Sequence, residues 1–378
     1  MPPGPSSAPL RQWQLLRSLP YSPRRFPRPI FDSCPTAKRR YALQSPGTPS
    51  IQVFSPHTKW MHRERAATDV EESRKVDYVR EEVASRLCDR LLDINRRFDE
   101  VLDFGAGPCT IAKILTEPLR GYEDAPADQQ AIIQSQKPLA SRIGHLTSAD
   151  TSKSMLYRDA SLPFNEQISL TRDLLENGEY LPYGPNTFDL CLSALSLHWL
   201  NDLPAVLSQI NTCLKPDAPF IAAMAGGDTL FELRGSLQLA EQDRVGGVGR
   251  HVSPLADVRD VGNLLSRAGF KLLTVDVDDI VVDYPSVFAL MSDLQSMGES
   301  NAALAMHPSL AGLTRDVLLA TEGVYRELYG NEDGSLPATF RTIYMIGWKE
   351  SEGQPEPLKR GSGQINMKDI LEGGGGPR

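Results

Sequence analysis

Across residues 101–115, VLDFGAGPCTIAKIL, the spacing of apolar positions changes once. Val101, Leu102 and Phe104 form a short apolar run of strand length, Gly105 and Gly107 punctuate it, and Ile111, Ile114 and Leu115 resume at helical spacing. The pattern predicts a buried strand, a glycine turn and a helix in immediate succession. Upstream, Val76, Val79, Val83, Leu87, Leu91 and Ile94 recur every three or four residues, predicting an amphipathic helix over 74–95. Downstream, short apolar runs predict strands at 143–150, 167–171, 187–195 and 218–224, with a helix at 202–214. Residues 226–254 read as a further helix carrying Leu230, Leu233, Leu237 and Leu239. Residues 288–302 and 313–329 read as helical insertions, and 338–349 as a long strand closing the sheet. Alternation of strands and helices argues for an α/β, mostly parallel sheet, with the last run as an antiparallel edge strand.

The turn carries the first chemical signal. Glycines there allow positive φ and close approach of a ligand to the backbone, while the following helix offers unpaired N–H groups. A dinucleotide fingerprint would put its third glycine at position 110, which is Thr110. The observed spacing, Asp103-x-Gly105-x-Gly107-x-Cys109, instead resembles motif I of class I S-adenosyl-L-methionine (AdoMet) methyltransferases, with Cys109 at the usual third glycine. The resemblance implies a Rossmann-like, mostly parallel seven-stranded sheet and AdoMet as cofactor, with Asp103 meeting its ammonium group. Asp150, ending the second strand, is placed to accept ribose hydroxyls, to cap the helix beginning near Ser152, or both. Asp173 and Leu174, after the third strand, correspond to the adenine-binding positions; a simple turn acid is the plainer reading of Asp173.

Charge divides the chain. Residues 1–49 hold eight basic side chains against the single acid Asp32; subtracting this +7 from the overall −8 leaves −15 for the remainder. An Arg-rich, acid-poor beginning with Arg39-Arg40-Tyr41-Ala42 reads as a mitochondrial transit peptide over 1–41, against the alternative of a Pro-rich disordered arm. The acidic body argues against nucleic-acid binding. Five scattered cysteines without metal spacing suit free thiols in a reducing compartment. The expected organisation is the transit peptide, an N-terminal extension over 42–73, a methyltransferase-like domain over 74–350 with helical insertions at 226–266 and 285–330, and a flexible tail over 351–378. The polar stretch 117–142 reads as a surface excursion.

Five further stretches stand out, of which GGDTLFELR and MGESN are more specific than the turn: HWLNDLP (198–204), INTCLKPD (210–217), GGDTLFELRGSLQLAE (226–241), VDYPSVFALMSDLQSMGESNA (282–302) and ELYGNEDGSLPATFRTIYMIGWK (327–349). Together they resemble the methyltransferase-like assembly factor 5 family of mitochondrial NADH:ubiquinone oxidoreductase (complex I). The resemblance implies hydroxylation of an arginine on a core peripheral-arm subunit of complex I during early assembly. It also implies a small cysteine-paired assembly factor as partner, and residence in the mitochondrial matrix with peripheral association with the inner membrane. Sequence chemistry alone points to methyl transfer, since neither an H-x-D metal pair nor a flavin fingerprint accompanies the fold and no metal site is expected. Candidate catalytic residues are His198, as base or ligand or merely a packing residue, and Asp228 and Glu232. The last two, four apart on the expected helix, would converge on a guanidinium, with Arg234 and the nearly opposed Glu241 beside them; a solvated helix face is the plainer reading. The alternatives are an AdoMet-dependent methyltransferase acting on a protein or small molecule, and a non-catalytic assembly chaperone. Residues 1–41 should be absent from the mature protein; N-terminal sequencing of matrix protein should begin at Ala42, and a mature chain beginning at Met1 overturns the targeting reading.

Overall fold

The computed structural model describes residues 52–117, 138–304 and 312–355; the expected transit peptide, most of the 117–142 excursion and the tail beyond 355 lie outside them. Seven strands, β1 Phe98–Phe104, β2 Ile143–Asp150, β3 Leu170–Leu174, β4 Leu190–Ala194, β5 Pro219–Ala225, β6 Phe270–Tyr284 and β7 Leu336–Lys349, form one sheet in the order β3-β2-β1-β4-β5-β7-β6. The first five run parallel, and β7 is antiparallel to both β5 and β6. This is the α/β sheet that the strand–helix alternation predicts, in the seven-stranded form that the methyltransferase resemblance implies.

Alternation within each strand builds the two faces. Val101, Leu190, Leu192, Ile221 and Ala223 enter one apolar cluster, while Leu102, Phe104, Cys191, Phe220 and Ala222 enter the other. Strands apolar on both faces need helices on both. On the first face lie α3 Tyr78–Leu92 and α4 Thr110–Thr116, with the later helices α8 Phe231–Arg244, α10 Val287–Ser296 and α11 Arg315–Tyr329. On the second lie α7 Leu203–Cys213 and α9 Val258–Arg267. Short helices α1 Pro56–Ala66, α2 Val70–Lys75, α5 Lys153–Tyr157 and α6 Phe164–Gln167 complete the element order. Starts are marked by caps legible in the sequence: Ser55, Ser152, Asp202 and Thr314 each accept a backbone N–H three residues on.

Three elements depart from the sequence reading. The third strand begins at Leu170, because Phe164–Gln167 form α6 and parallel pairing with β2 sets Leu170 against Leu146 and Leu174 against Asp150. The helix expected over 226–254 spans only Phe231–Arg244. Leu230 ahead of it has φ 53°, and Gly226 and Leu230 donate their N–H groups to Arg341 and Thr339 carbonyls of β7, so this stretch follows the sheet. Finally, 338–349 lies within β7 and is antiparallel as expected, but it is the penultimate strand. The outermost is β6, whose carboxylates Asp276, Asp278 and Asp279 are paired with Arg90, Arg86 and Arg341. Those acids hide its apolar positions from a hydropathy reading and guard an open edge.

The described part of the segment expected as an extension, residues 52–73, is packed into the same body. Phe54 pairs with Ala303 in an isolated bridge, and Arg74, Arg158 and Arg80 interlock with Asp159 and Asp77. On α1, Arg63 Nη1 reaches both oxygens of Asp150 at 2.9 and 3.0 Å. Asp150 is 1% exposed, so Arg63→Met strands a buried carboxylate and should lower stability by about 3–5 kcal/mol. Arg63→Met/Asp150→Asn should recover most of that loss. Chemical denaturation measures both, and a single variant as stable as the wild type refutes the dependence.

Candidate active site

The strand order reverses between β1 and β4, and beyond the carboxyl ends of β1 and β2 a cleft opens at that switch point, where ligands of open α/β sheets bind. Its floor is the glycine turn. Gly105 and Gly107 have φ of 72° and 55°, and Cys109 takes the same left-handed conformation at 62°. The position where the motif usually carries glycine is thus one a Cβ makes costly, and Cys109 adopts it while fully buried. A Cβ on Gly105 would lie 1.9 Å from Ser196 Oγ, so this turn admits no side chain there. Gly105 and Ala106 donate N–H groups to the Ala149 carbonyl at 2.8 and 3.1 Å, tying the turn to the end of β2.

The cleft has a volume of about 800 Å³. Of the six positions expected to hold cofactor, Gly105, Asp150 and Leu174 line it. Asp103 lies beneath the turn, fully buried: Oδ2 is 3.4 Å from Ser148 Oγ and Oδ1 has no partner. Burial, reinforced by the negative charge of Asp150, pushes its carboxyl up to about 8. Asp150 is not a free acceptor, since it takes Arg63, the Gly107 N–H at 2.8 Å and the Ser152 N–H at 2.9 Å. The cap of α5 is Ser152 itself. Asp173 turns away and accepts from Tyr183 OH at 3.0 Å, while half-exposed Leu174, its neighbour on the opposite strand face, forms the cleft wall with Glu176 and Asn177.

Beside the cleft is a second, mostly apolar pocket of about 130 Å³, lined by Val79, Leu195, Leu233, Val252, Leu294 and Phe340. His198, Arg80, His251 and Glu299 bring the polar groups, and Trp199 belongs to the walls of both cavities. Trp199 is held between two partners: its Nε1–H donates to Glu299 Oε2 at 2.7 Å, and Lys59 Nζ lies 3.8 Å from the centre of its indole ring. Lys59 donates to Glu299 Oε2 at 2.6 Å and to the Gly298 carbonyl at 2.8 Å. Burial lowers the Lys59 ammonium to about 7, with the Glu299 carboxylate acting against that shift. Burial would raise Glu299, but Lys59, His198 and Arg63 outweigh it and hold the carboxyl below the ordinary carboxylate range. His198 ends in a tight turn after β4; its Nε2 is 3.9 Å from Glu299 Oε2, and burial depresses its pKa and favours the neutral ring.

The structure does not bring Asp228 and Glu232 together. Asp228 precedes α8 and forms an exposed ion pair with Arg341, whereas Glu232 is buried and accepts from the Thr339 hydroxyl and N–H. The expected shared helix face fails because Leu230 breaks the helix between them. Glu241 is also buried, bonded to His251 Nε2 at 2.5 Å and to the Gly249 N–H at 2.7 Å. Conversely, Lys59, Arg63, Trp199, Glu299 and His251 went unassigned on sequence. The one available signal was Lys59 and Arg63, four apart and therefore on one face of a short helix. Glu299 lies within the MGESN stretch. Among the described residues, no group of three or more His, Cys, Asp or Glu side chains could hold a metal ion, and no helix is long and apolar enough to cross a membrane.

A family model described as a methyltransferase domain matches residues 134–222. The chain is 44% identical over 320 residues to the mitochondrial arginine-hydroxylase NDUFAF5 of Danio rerio, covering 85% of this chain and 90% of the relative. It is 45% identical over 321 residues to that of Homo sapiens, covering 85% and 84%. A malonyl-[acyl-carrier protein] O-methyltransferase of Laribacter hongkongensis is 30% identical over 297 residues, covering 77% of this chain and 87% of the relative. With such identity sustained over most of both chains, on a methyltransferase-like sheet with its cleft at the switch point, this chain belongs to the mitochondrial arginine-hydroxylase NDUFAF5 family.

Proposed function

We propose that this protein is a mitochondrial arginine hydroxylase that modifies an arginine of a core peripheral-arm subunit of complex I during early assembly. AdoMet occupies the switch-point cleft in this reading. The observation that carries the hydroxylase assignment is the 44–45% identity with mitochondrial arginine hydroxylases over most of both chains. A matrix location at the inner-membrane surface and a small cysteine-paired assembly factor as partner complete the proposal.

The residues present suit AdoMet. Gly105 leaves the turn open, Leu174 offers an apolar wall for an adenine, and the unpartnered Asp103 Oδ1 is an acceptor beneath the turn. Ribose hydroxyls would meet Asp150 already paired to Arg63, so recognition there falls to the ion pair as a unit. Bound AdoMet supplies a methyl group activated by its sulfonium. Hydroxylation, which replaces C–H by C–OH, draws on an external oxidant instead. A second reading, methyl transfer, is favoured by this same cofactor-shaped cleft and by the likeness to an O-methyltransferase.

Mass spectrometry of the complex I subunit from cells with and without this protein separates the readings. Gain of one oxygen on an arginine supports hydroxylation, gain of a methyl group supports the alternative, and an unmodified arginine in both cells leaves a chaperone. Cofactor binding has its own signature. Because burial raises Asp103 to about 8, the free protein carries a proton there at pH 6–7, and a cofactor ammonium pairs better with the carboxylate. Binding should therefore release a proton, and AdoMet affinity should rise with pH over that interval by up to about tenfold per unit. Calorimetry in buffers of different ionisation enthalpy measures the proton. Asp103→Asn should flatten the dependence, and a flat wild-type profile rules out this role for Asp103.

A further inference from the structure

We propose that the small pocket beyond Trp199 is the arginine-side-chain subsite, with Glu299 Oε1 and the His198 ring as the acceptors of the guanidinium N–H groups. The inference rests on the arginine-modifying reading above and names where that substrate is held.

Two buried atoms without a hydrogen-bond partner define the site, one of them within ion-pair distance of Arg80. The buried Glu299 Oε1 has no hydrogen-bond partner, although Oε2 of the same carboxylate accepts from Lys59 and Trp199. His198, with a side chain 6% exposed, likewise has a buried Nδ1 without a partner. Both residues line the same pocket. Buried polar groups are almost always satisfied, so two orphans on one cavity wall mark the place of a missing ligand. The ligand they ask for is a donor. A carboxylate oxygen can only accept, and a neutral histidine can accept through its unprotonated nitrogen.

The rest of the wall sets the shape. The pocket is about 130 Å³, too small for a cofactor-sized ligand but enough for one extended side chain. Leu233, Val252 and Leu294 can flank a polymethylene stem while the polar end reaches Glu299. A planar guanidinium matches a carboxylate better than an ammonium does. Resident cations do not fill the position. Lys59 is bound to Oε2 and the Gly298 carbonyl, and Arg80 is held by Asp77 and the Met297 carbonyl, leaving its Nη2 3.6 Å from Oε1. Backbone strain collects on this wall: Leu195 and Leu230 both line the pocket with φ of 50° and 53°, a conformation that costs a branched side chain energy and that functional sites retain. Trp199, shared with the cleft, sets the bound side chain directly beside the cofactor position.

The test uses the full chain and two probes of the same shape, N-acetyl-arginine amide and its neutral analogue N-acetyl-citrulline amide, titrated by calorimetry. The wild type should prefer the arginine probe by about tenfold or more, the expected worth of a charged hydrogen bond, and Glu299→Gln should erase that preference. Equal affinity of the wild type for both probes overturns the proposal, as does a Glu299→Gln variant that still discriminates. If Glu299→Gln does not fold, Val252→Trp decides: it fills the pocket without changing a charge, so binding of the arginine probe should be lost, and retained binding overturns the subsite. Subunit modification in cells separates this inference from the function beneath it. Oxygen gain that persists with Glu299→Gln rejects the subsite and leaves the hydroxylase reading, whereas arginine selectivity without oxygen gain in wild-type cells keeps the subsite and rejects the hydroxylase.

Discussion

The ion pair between Arg63 of α1 and Asp150 at the end of β2 holds the site together. Asp150 also receives the Gly107 and Ser152 N–H groups, so one carboxylate joins the N-terminal helix, the glycine turn and the cap of α5. Removing such charges from water costs several kcal/mol per ion, which only close, well-bonded partners offset. Lys59, one turn earlier on α1, makes the parallel connection to Glu299 and the Gly298 carbonyl. A short helix whose buried side is largely cationic is thereby tied to two carboxylates from distant parts of the chain. Its position follows from charge as much as from apolar packing.

Asp103 and Asp150 show what that arrangement does to chemistry. Two carboxyls at the ends of neighbouring parallel strands do not both ionise freely when buried. Arg63 pairs with Asp150 directly, and Asp103, buried and hydrogen-bonded to Ser148, is pushed up to about 8 by burial and the nearby Asp150. The polar floor under the turn is thus an ion pair beside a carboxyl that burial raises. Across Trp199 the same logic recurs with Glu299, held ionised by Lys59, next to a neutral His198. Cleft and pocket are two environments of different polarity divided by a single indole that belongs to both.

Much of this was legible along the chain. Strand, turn and helix at 101–115, the second strand ending in Asp150, the helix over 202–214 and the antiparallel run of 338–349 all followed from the local pattern, because parallel strands buried on both faces and amphipathic helices carry their pattern in adjacent residues. Asp103, Gly105 and Gly107 announced themselves by spacing alone. Cys109 marked the position where the motif usually carries glycine, and the left-handed backbone there accounts for that usual glycine, not for the cysteine.

Long-range pairing decided the rest. Nothing local reveals that Arg63 will claim an acid 87 positions away or that Lys59 will meet Glu299; a basic, low-hydropathy helix reads as solvated until its partners are placed. The Asp228–Glu232 pairing failed for the same reason, since hydrogen bonds from Gly226 and Leu230 to β7 override the helical spacing that four-residue separation suggests. Asp173 and Leu174 were placed at the correct strand end, but which of them faces the cleft depends on the register of β3 against β2, and a shift of one residue exchanges the faces. By itself the sequence determined the parallel part of the sheet and the glycine turn at its centre, because these depend on neighbouring residues. Only the tertiary structure decided which acids are paired and which keep an oxygen without a hydrogen bond, because those outcomes depend on charges that meet across the fold.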